Sequence, residues 1–229
     1  WTKIKMDQQA GVTSGQQTSQ IKWIPELGEF WRTGLSGGSQ NYIMSSVDGY
    51  NWENCFGQAG TRDIYDFNYG NGILMFASNN GYIMRCNNPT ASGNSKTYNN
   101  VYVGAGNIYT VAYGNGVWVA GATNSYTYYS TDNGSTWSVA PNTSGLYNSY
   151  SGAAYGNGRW IMLDQTGSAM TSLDGKSWEY VNSSTSTNIG ASDLIWTGEL
   201  FYGPSKHSYN GIDWISNGST GVARIGYGG

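Results

Sequence analysis

The sequence predicts an all-β protein built as a β-propeller, and three observations carry that reading. A turn motif recurs at near-constant spacing. The glycines that close Trp23-Ile24-Pro25-Glu26-Leu27-Gly28, Tyr69-Gly70-Asn71-Gly72, Tyr113-Gly114-Asn115-Gly116, Tyr155-Gly156-Asn157-Gly158 and Trp196-Thr197-Gly198 lie 44, 44, 42 and 40 residues apart. A period of about 40 to 45 residues with four short strands per unit is that of a propeller blade. A second turn recurs in phase with the first: Ser46-Val47-Asp48-Gly49-Tyr50-Asn51-Trp52, Ser130-Thr131-Asp132-Asn133-Gly134-Ser135-Thr136-Trp137, Ser172-Leu173-Asp174-Gly175-Lys176-Ser177-Trp178 and the weaker Ser208-Tyr209-Asn210-Gly211-Ile212-Asp213-Trp214. Third, 34 Gly against 4 Pro suits many short strands and turns. No 3.6-residue periodicity continues past one turn, so helix is negligible.

Each element follows from its residues. An Asn-Gly pair between apolar runs is the strongest short-range hairpin signal, so the first motif joins strands A and B of a blade. The runs behind it, such as Ile73-Leu74-Met75-Phe76, Val117-Trp118-Val119-Ala120 and Trp160-Ile161-Met162-Leu163, are continuous rather than alternating, which predicts strands covered on both faces. In the second motif, which joins strands C and D, the carboxylate of Asp48, Asp132 or Asp174 bonds the backbone ahead of it. The Gly supplies positive φ, and Trp52, Trp137, Trp178 or Trp214 opens the next strand with a buried ring. One repeat lacks that turn, and there Tyr98 is expected at the Trp position.

The resulting expectation is one domain over residues 1–229, a β-propeller of four-stranded antiparallel blades. Its five full blades fall at about 21–57, 63–102, 107–141, 150–182 and 191–217. Terminal strands at 1–6 and 222–228 either close an abbreviated sixth blade or mark a cut from a larger protein. Trp1 is no translation start, so the chain reads as a processed or excised piece. Segments 7–20, 87–96 and 142–149 read as loops.

Composition excludes several function classes. The net charge is −3, only 11% of residues are charged, and no Lys/Arg stripe exists to track a phosphate backbone, so no nucleic acid is expected. No apolar stretch is long enough to insert in a membrane. The lone His207 has no partner at metal-ligand spacing, so neither a metal nor another cofactor is expected. Cys55 and Cys86 fall on outer strands of neighbouring repeats, either as a bridge or as two buried thiols. A surface of hydroxyls, amides and aromatic rings, poor in Lys and Glu, points to an extracellular or virion setting.

Strand order then separates two faces. The A–B and C–D turns share one face and repeat closely, so they do a repeated structural job. The B–C and D–A connections share the other face and vary from blade to blade, which is where a ligand site on a rigid scaffold is expected. Candidate ligand-binding residues there are Asn79, Asn80, Tyr126, Asp164, Gln165 and His207 from the B–C loops, with Arg62 and Tyr147 from the D–A loops. Amides and phenols match the hydroxyls of a neutral polyhydroxylated ligand, and Tyr rings stack on a sugar's apolar face.

The Ser-x-Asp-x-Gly-x-x-Trp turns at blade spacing resemble the Asp-box repeats of sialidase-type β-propellers, and the fuller unit is similar to repeats of bacteriophage tail and secreted lectin-like propellers. The resemblance spans nearly the whole chain and implies a propeller in which the Asp box is structural and lies away from the ligand. It also raises a sialidase-like glycosidase as an alternative. That chemistry needs two carboxylates flanking a bond, and in the family an arginine cluster. The chain's arginines are Arg32, Arg62, Arg85, Arg159 and Arg224, and three of them cannot be brought together in this register. The expected function is therefore a non-catalytic recognition module for a glycan or cell-surface receptor. A structural virion or matrix protein assembling as an oligomer is the other alternative.

Overall fold

The computed structural model describes residues 17–36, 40–55, 63–141, 148–181, 189–190 and 193–218. The strands expected at 1–6 and 222–228, and the candidates Arg62 and Tyr147, lie outside the described residues.

Five four-stranded antiparallel sheets follow one another as a β-propeller, each in simple sequential order. Blade 1 comprises β1 (Gln17–Ile24), β2 (Glu29–Ser36), β3 (Gln40–Ser46) and β4 (Glu53–Asn54). Blade 2 comprises β5 (Ile64–Gly70), β6 (Ile73–Ser78), β7 (Tyr82–Cys86) and β8 (Tyr98–Tyr102). Blade 3 has β9 (Ile108–Gly114), β10 (Val117–Ala122), β11 (Thr127–Ser130) and β12 (Ser138–Val139). Blade 4 has β13 (Tyr150–Gly156), β14 (Arg159–Asp164), β15 (Ala169–Ser172) and β16 (Glu179–Tyr180). Blade 5 is the most abbreviated, with β17 (Ile195–Trp196), β18 (Phe201–Tyr202), β19 (Lys206–Ser208) and β20 (Ile215–Ser216). Helix among the described residues is limited to short 3-10 turns at Gly93–Ser95 and Thr123–Ser125. The first strands β1, β5, β9, β13 and β17 contact one another in succession, and every residue of β6 and β10 is buried.

The blades are joined through their glycines. A Cβ at Gly70 would lie 2.2 Å from the Tyr113 ring of the next blade, one at Gly114 would lie 2.1 Å from Tyr155, and one at Gly156 would lie 2.0 Å from Trp196. Blades 3, 4 and 5 thus each set an aromatic ring onto the bare backbone of the blade before them. The same rings pack within their own blades, Tyr113 on Trp118 at 5.0 Å, Tyr155 on Trp160 at 4.3 Å and Trp196 on Phe201 at 4.8 Å between centroids. The C–D glycines of blades 3, 4 and 5 make the reverse contact, each with the preceding blade: Gly134 sits on Met75, Gly175 on Val117 and Val119, and Gly211 on Ile161 and Arg159.

The C–D turns of blades 1, 3, 4 and 5 share one hydrogen-bond scheme. The N–H groups of Gly49, Gly134, Gly175 and Gly211 donate to the hydroxyls of Ser46, Ser130, Ser172 and Ser208 at 2.8 to 2.9 Å. Asp48 Oδ1 accepts the N–H groups of Tyr50 and Asn51, Asp174 Oδ1 those of Lys176 and Ser177, and Asn210 Oδ1 those of Ile212 and Asp213. The Asn51 and Tyr50 N–H groups hold the Asp48 carboxyl well below the usual carboxylate range. For Asp132, partial burial pushes the carboxyl up, but the Thr136 hydroxyl and N–H outweigh it and lower it to about 2. Trp178 and Trp214 are buried as expected. Trp52 and Trp137 are only half-buried, and Trp52 is covered on one side by the Arg32 guanidinium, 4.6 Å from its ring centroid.

In blade 2 Tyr98 faces Cys86 in register, fills the Trp position, and donates its hydroxyl to the Cys55 carbonyl at 2.7 Å. Cys55 and Cys86 are free thiols in one core cluster with Phe67 and Phe76, so the bridge alternative does not hold. Burial pushes both thiols up, which keeps them protonated and inert. Near the axis, the buried Asp66 ties three blades together. It accepts Lys22 Nζ from blade 1 at 2.6 Å, and from blade 3 the Thr110 hydroxyl at 2.9 Å and the Val111 N–H at 3.1 Å.

Candidate functional site

On the face of the B–C and D–A connections, blades 2 and 3 gather tyrosines that come from strand starts and ends. Tyr82 opens β7, Tyr102 ends β8, Tyr65 and Tyr109 lie one residue inside β5 and β9, and Tyr126 precedes β11. Strand pairing places Tyr82 opposite Tyr102, with ring centroids 5.2 Å apart and edge-on. Tyr65 packs on Tyr109 at 4.9 Å, and Tyr126 stacks on Tyr128 at 6.3 Å. Tyr102 is 60% exposed and Tyr126 48%, while Tyr128 beneath them is buried. Burial pushes the Tyr128 hydroxyl up, with neighbouring Tyr126 and Tyr102 adding to the shift.

Amides link this patch across the blades. The Asn80 N–H donates to Asn107 Oδ1 at 3.2 Å, the Asn107 N–H to the Thr123 hydroxyl at 2.9 Å, and Asn107 Nδ2 to the Tyr109 hydroxyl at 3.3 Å. The Thr123–Ser125 turn holds two successive residues in the left-handed region, Asn124 at φ 55 and Ser125 at φ 61. For Ser this conformation costs on the order of 1 kcal/mol, and such strain concentrates at functional sites. Its effect here is to turn Tyr126 out to solvent, while Ser125 Oγ donates to the Asn148 carbonyl and anchors the turn to blade 4.

The remaining sequence candidates separate. Asn79 backs the patch from half-burial, its N–H bonded to the Asp63 carbonyl. Gln165 is exposed on the blade 4 loop, away from the tyrosines, with its N–H bonded to the Ser149 carbonyl. Asp164 is 1% exposed, and its Oδ1 accepts the Thr166 N–H, the Thr166 hydroxyl and the Ser168 N–H at 2.7 to 2.9 Å, so it holds its loop instead of facing solvent. His207 is not in a loop: the blade 5 turn is short, and His207 sits mid-strand in β19, between Tyr202 and Tyr209, with Nδ1 2.7 Å from Asn217 Oδ1. Tyr150 is a fully buried first residue of β13 whose hydroxyl burial pushes up to about 12. Tyr65, Tyr82, Tyr102 and Tyr109 escaped the sequence reading, although each lies within one residue of a strand end on the variable face.

No protein-family model matches the chain, and no curated protein sequence matches it. Solved structures do resemble it. A structure described as YCF48 bound to D1 peptide is 13% identical with a TM-score of 0.58, over 88% of this chain and 66% of that one. The computationally designed Ika8 protein is 9% identical with a TM-score of 0.55, over 85% and 59%. A chain of the Mitotic Checkpoint Complex is 10% identical with a TM-score of 0.64, over 96% and 73%. The chain therefore spans about three fifths to three quarters of these structures' lengths, and at such identities the likeness is one of fold, the β-propeller.

Proposed function

We propose that this propeller is a non-catalytic recognition module, acting outside the cell or on a virion, that binds a neutral glycan of a surface receptor through the tyrosine patch of blades 2 and 3. One observation carries the reading: Tyr102 and Tyr126 are held half-exposed over a rigid Tyr128 and Asn107 network at a strained turn. Held rings lose little side-chain freedom on stacking against a sugar's apolar face, and the amides of Asn80 and Asn124 supply hydroxyl-matching groups. The three matching Ser–Asp turns and the Ser–Asn turn of blade 5 support reading those turns as Asp-box repeats. Their carboxylates are engaged in the turns, which speaks for structure in place of hydrolysis.

Glycan-array binding by the intact chain tests the proposal. Tyr102→Ala and Tyr126→Ala should each weaken a bound glycan by about tenfold; undiminished binding by both variants would remove the patch from consideration. A protein ligand at the same face is the second reading, favoured by the peptide and the multiprotein complex in the descriptions of two structural neighbours. Cell-surface binding that survives periodate but not protease would select it.

A further inference from the structure

A groove of about 510 Å³ lies far from the tyrosine patch, between blades 4 and 5 on the side of the C–D turns. Its walls mix polar and apolar groups and are open to water: Leu173 is 66% exposed, Ile212 41% and Tyr180 40%, with Val181 buried among the lining residues. The two turns that bear Leu173 and Ile212 need Ser, Asp or Asn, Gly and Trp for their own geometry, and neither residue takes a side-chain part in that scheme. The walls are also fixed in place. Gly211, beside Ile212, is seated on Ile161 and Arg159 of blade 4, and Asn157 Nδ2 donates to the Tyr209 carbonyl at 3.2 Å.

Charge narrows the occupant. Asp174 and Glu179 line the groove, and Asp174 keeps its charge because backbone N–H groups outweigh the effect of burial. The lining cation is Arg159, whose Nη1 is turned onto the Thr171 hydroxyl at 2.9 Å. Lys176 reaches the other way, over the Tyr129 ring of blade 3. Exposed Leu173, Ile212 and Tyr180 set beside the carboxylates of Asp174 and Glu179, which outnumber the single lining cation, complement an extended segment bearing apolar side chains beside a basic one. We propose that the groove between blades 4 and 5 is a second docking site, which takes an extended apolar peptide flanked by Arg or Lys from a partner protein. This site is independent of the glycan reading, since it is built by blades 4 and 5 and shares no residue with the tyrosine patch of blades 2 and 3.

Two short fluorescent peptides of alternating Leu and Ser, one ended by Arg pairs and the other by Glu pairs, test it by fluorescence anisotropy with the full chain. The Arg-ended peptide should bind and the Glu-ended one should not. Leu173→Ser and Ile212→Ser, both at solvent-exposed positions, should each weaken binding by about tenfold. Glu179→Lys should reverse the preference between the peptides. Tyr102→Ala with Tyr126→Ala should leave binding unchanged. The proposal is overturned if neither peptide binds, if both bind alike, or if the tyrosine variants abolish binding. Concentration-dependent dimerisation that Leu173→Ser removes would overturn it too, by making a second copy the occupant.

Discussion

Two glycines only two positions apart, Gly114 and Gly116, should respond to the same substitution for opposite reasons. Gly116 closes the A–B turn of blade 3 at φ 78, and a Cβ there would meet nothing within 4 Å. Gly116→Ala therefore costs only the left-handed conformation, about 1 kcal/mol. Gly114 lies at the end of β9 outside the left-handed region, so its backbone accepts Ala, but the new Cβ would stand 2.1 Å from Tyr155 Cγ and 2.4 to 2.5 Å from both Cδ atoms. A ring packed on Trp160 cannot yield by that amount without moving blade 4, and overpacking of this kind costs about 3 kcal/mol. In a chain of this length the two losses correspond to falls in melting temperature of about 3 °C and about 10 °C. The assay is thermal and urea unfolding of Gly114→Ala, Gly116→Ala, Tyr155→Ala and the Gly114→Ala/Tyr155→Ala double variant. With the ring gone the added methyl has no clash, so the double variant should be more stable than additivity allows by more than about 1 kcal/mol. Equal losses at the two glycines, or strict additivity with Tyr155→Ala, would refute the idea that blades are spaced by ring-on-glycine contacts.

Other perturbations probe the remaining supports. Trp178→Ala should cost about 4 kcal/mol and Trp137→Ala about half of that, since only the first ring is fully buried; the reverse order in urea melts would contradict the packing described. Asp66→Ala strips partners from Lys22, Thr110 and two backbone N–H groups at once, for a loss of about 4 kcal/mol in chemical denaturation, and a loss below about 1 kcal/mol would discount the three-blade junction. Asp132 has a folded pKa of about 2 against an unfolded value of about 3.9, so its stabilisation is complete above the unfolded value and fades as pH falls through the folded one. The melting-temperature gap between wild type and Asp132→Asn should then be constant near neutrality, narrow below about pH 4 and close near pH 2, and a gap independent of pH would count against the turn's carboxylate.

The propeller was legible because its turns are set by local backbone chemistry. Asn71, Asn115 and Asn157 sit at φ 49, 43 and 47, each followed by a Gly at φ 73 to 78, and few residue pairs accept that geometry. Tyr98 could be matched to a Trp position because strand register preserves the spacing even where the turn is rebuilt. The ring-seating role of Gly70, Gly114 and Gly156 was hidden, since beside Asn-Gly each reads as one more hairpin glycine. The candidate site was legible in its face but less so in its members. Asn80 and Tyr126 sit in recognisable loops, whereas Tyr102 and Tyr109 occupy strand ends, where periodicity cannot tell an outward aromatic from a core one. Asp164 and His207 were misplaced for a different reason: a carboxylate that folds back on its own turn and a polar strand that begins at Lys206 leave the same sequence trace as a variable polar loop.

From blade 2 to blade 5 the ring-on-glycine contact runs in one direction around the axis, the later sheet lending an aromatic group back to a notch on the sheet before it. A sheet removed from its neighbours would keep an uncovered notch on one side and a stranded indole or phenol on the other, with too little apolar area of its own to replace either. No blade is then a thermodynamic unit. Heating should produce a single calorimetric transition, and a nick or strain introduced in one blade should be felt as lost hydrogen-exchange protection in the blades on both sides of it.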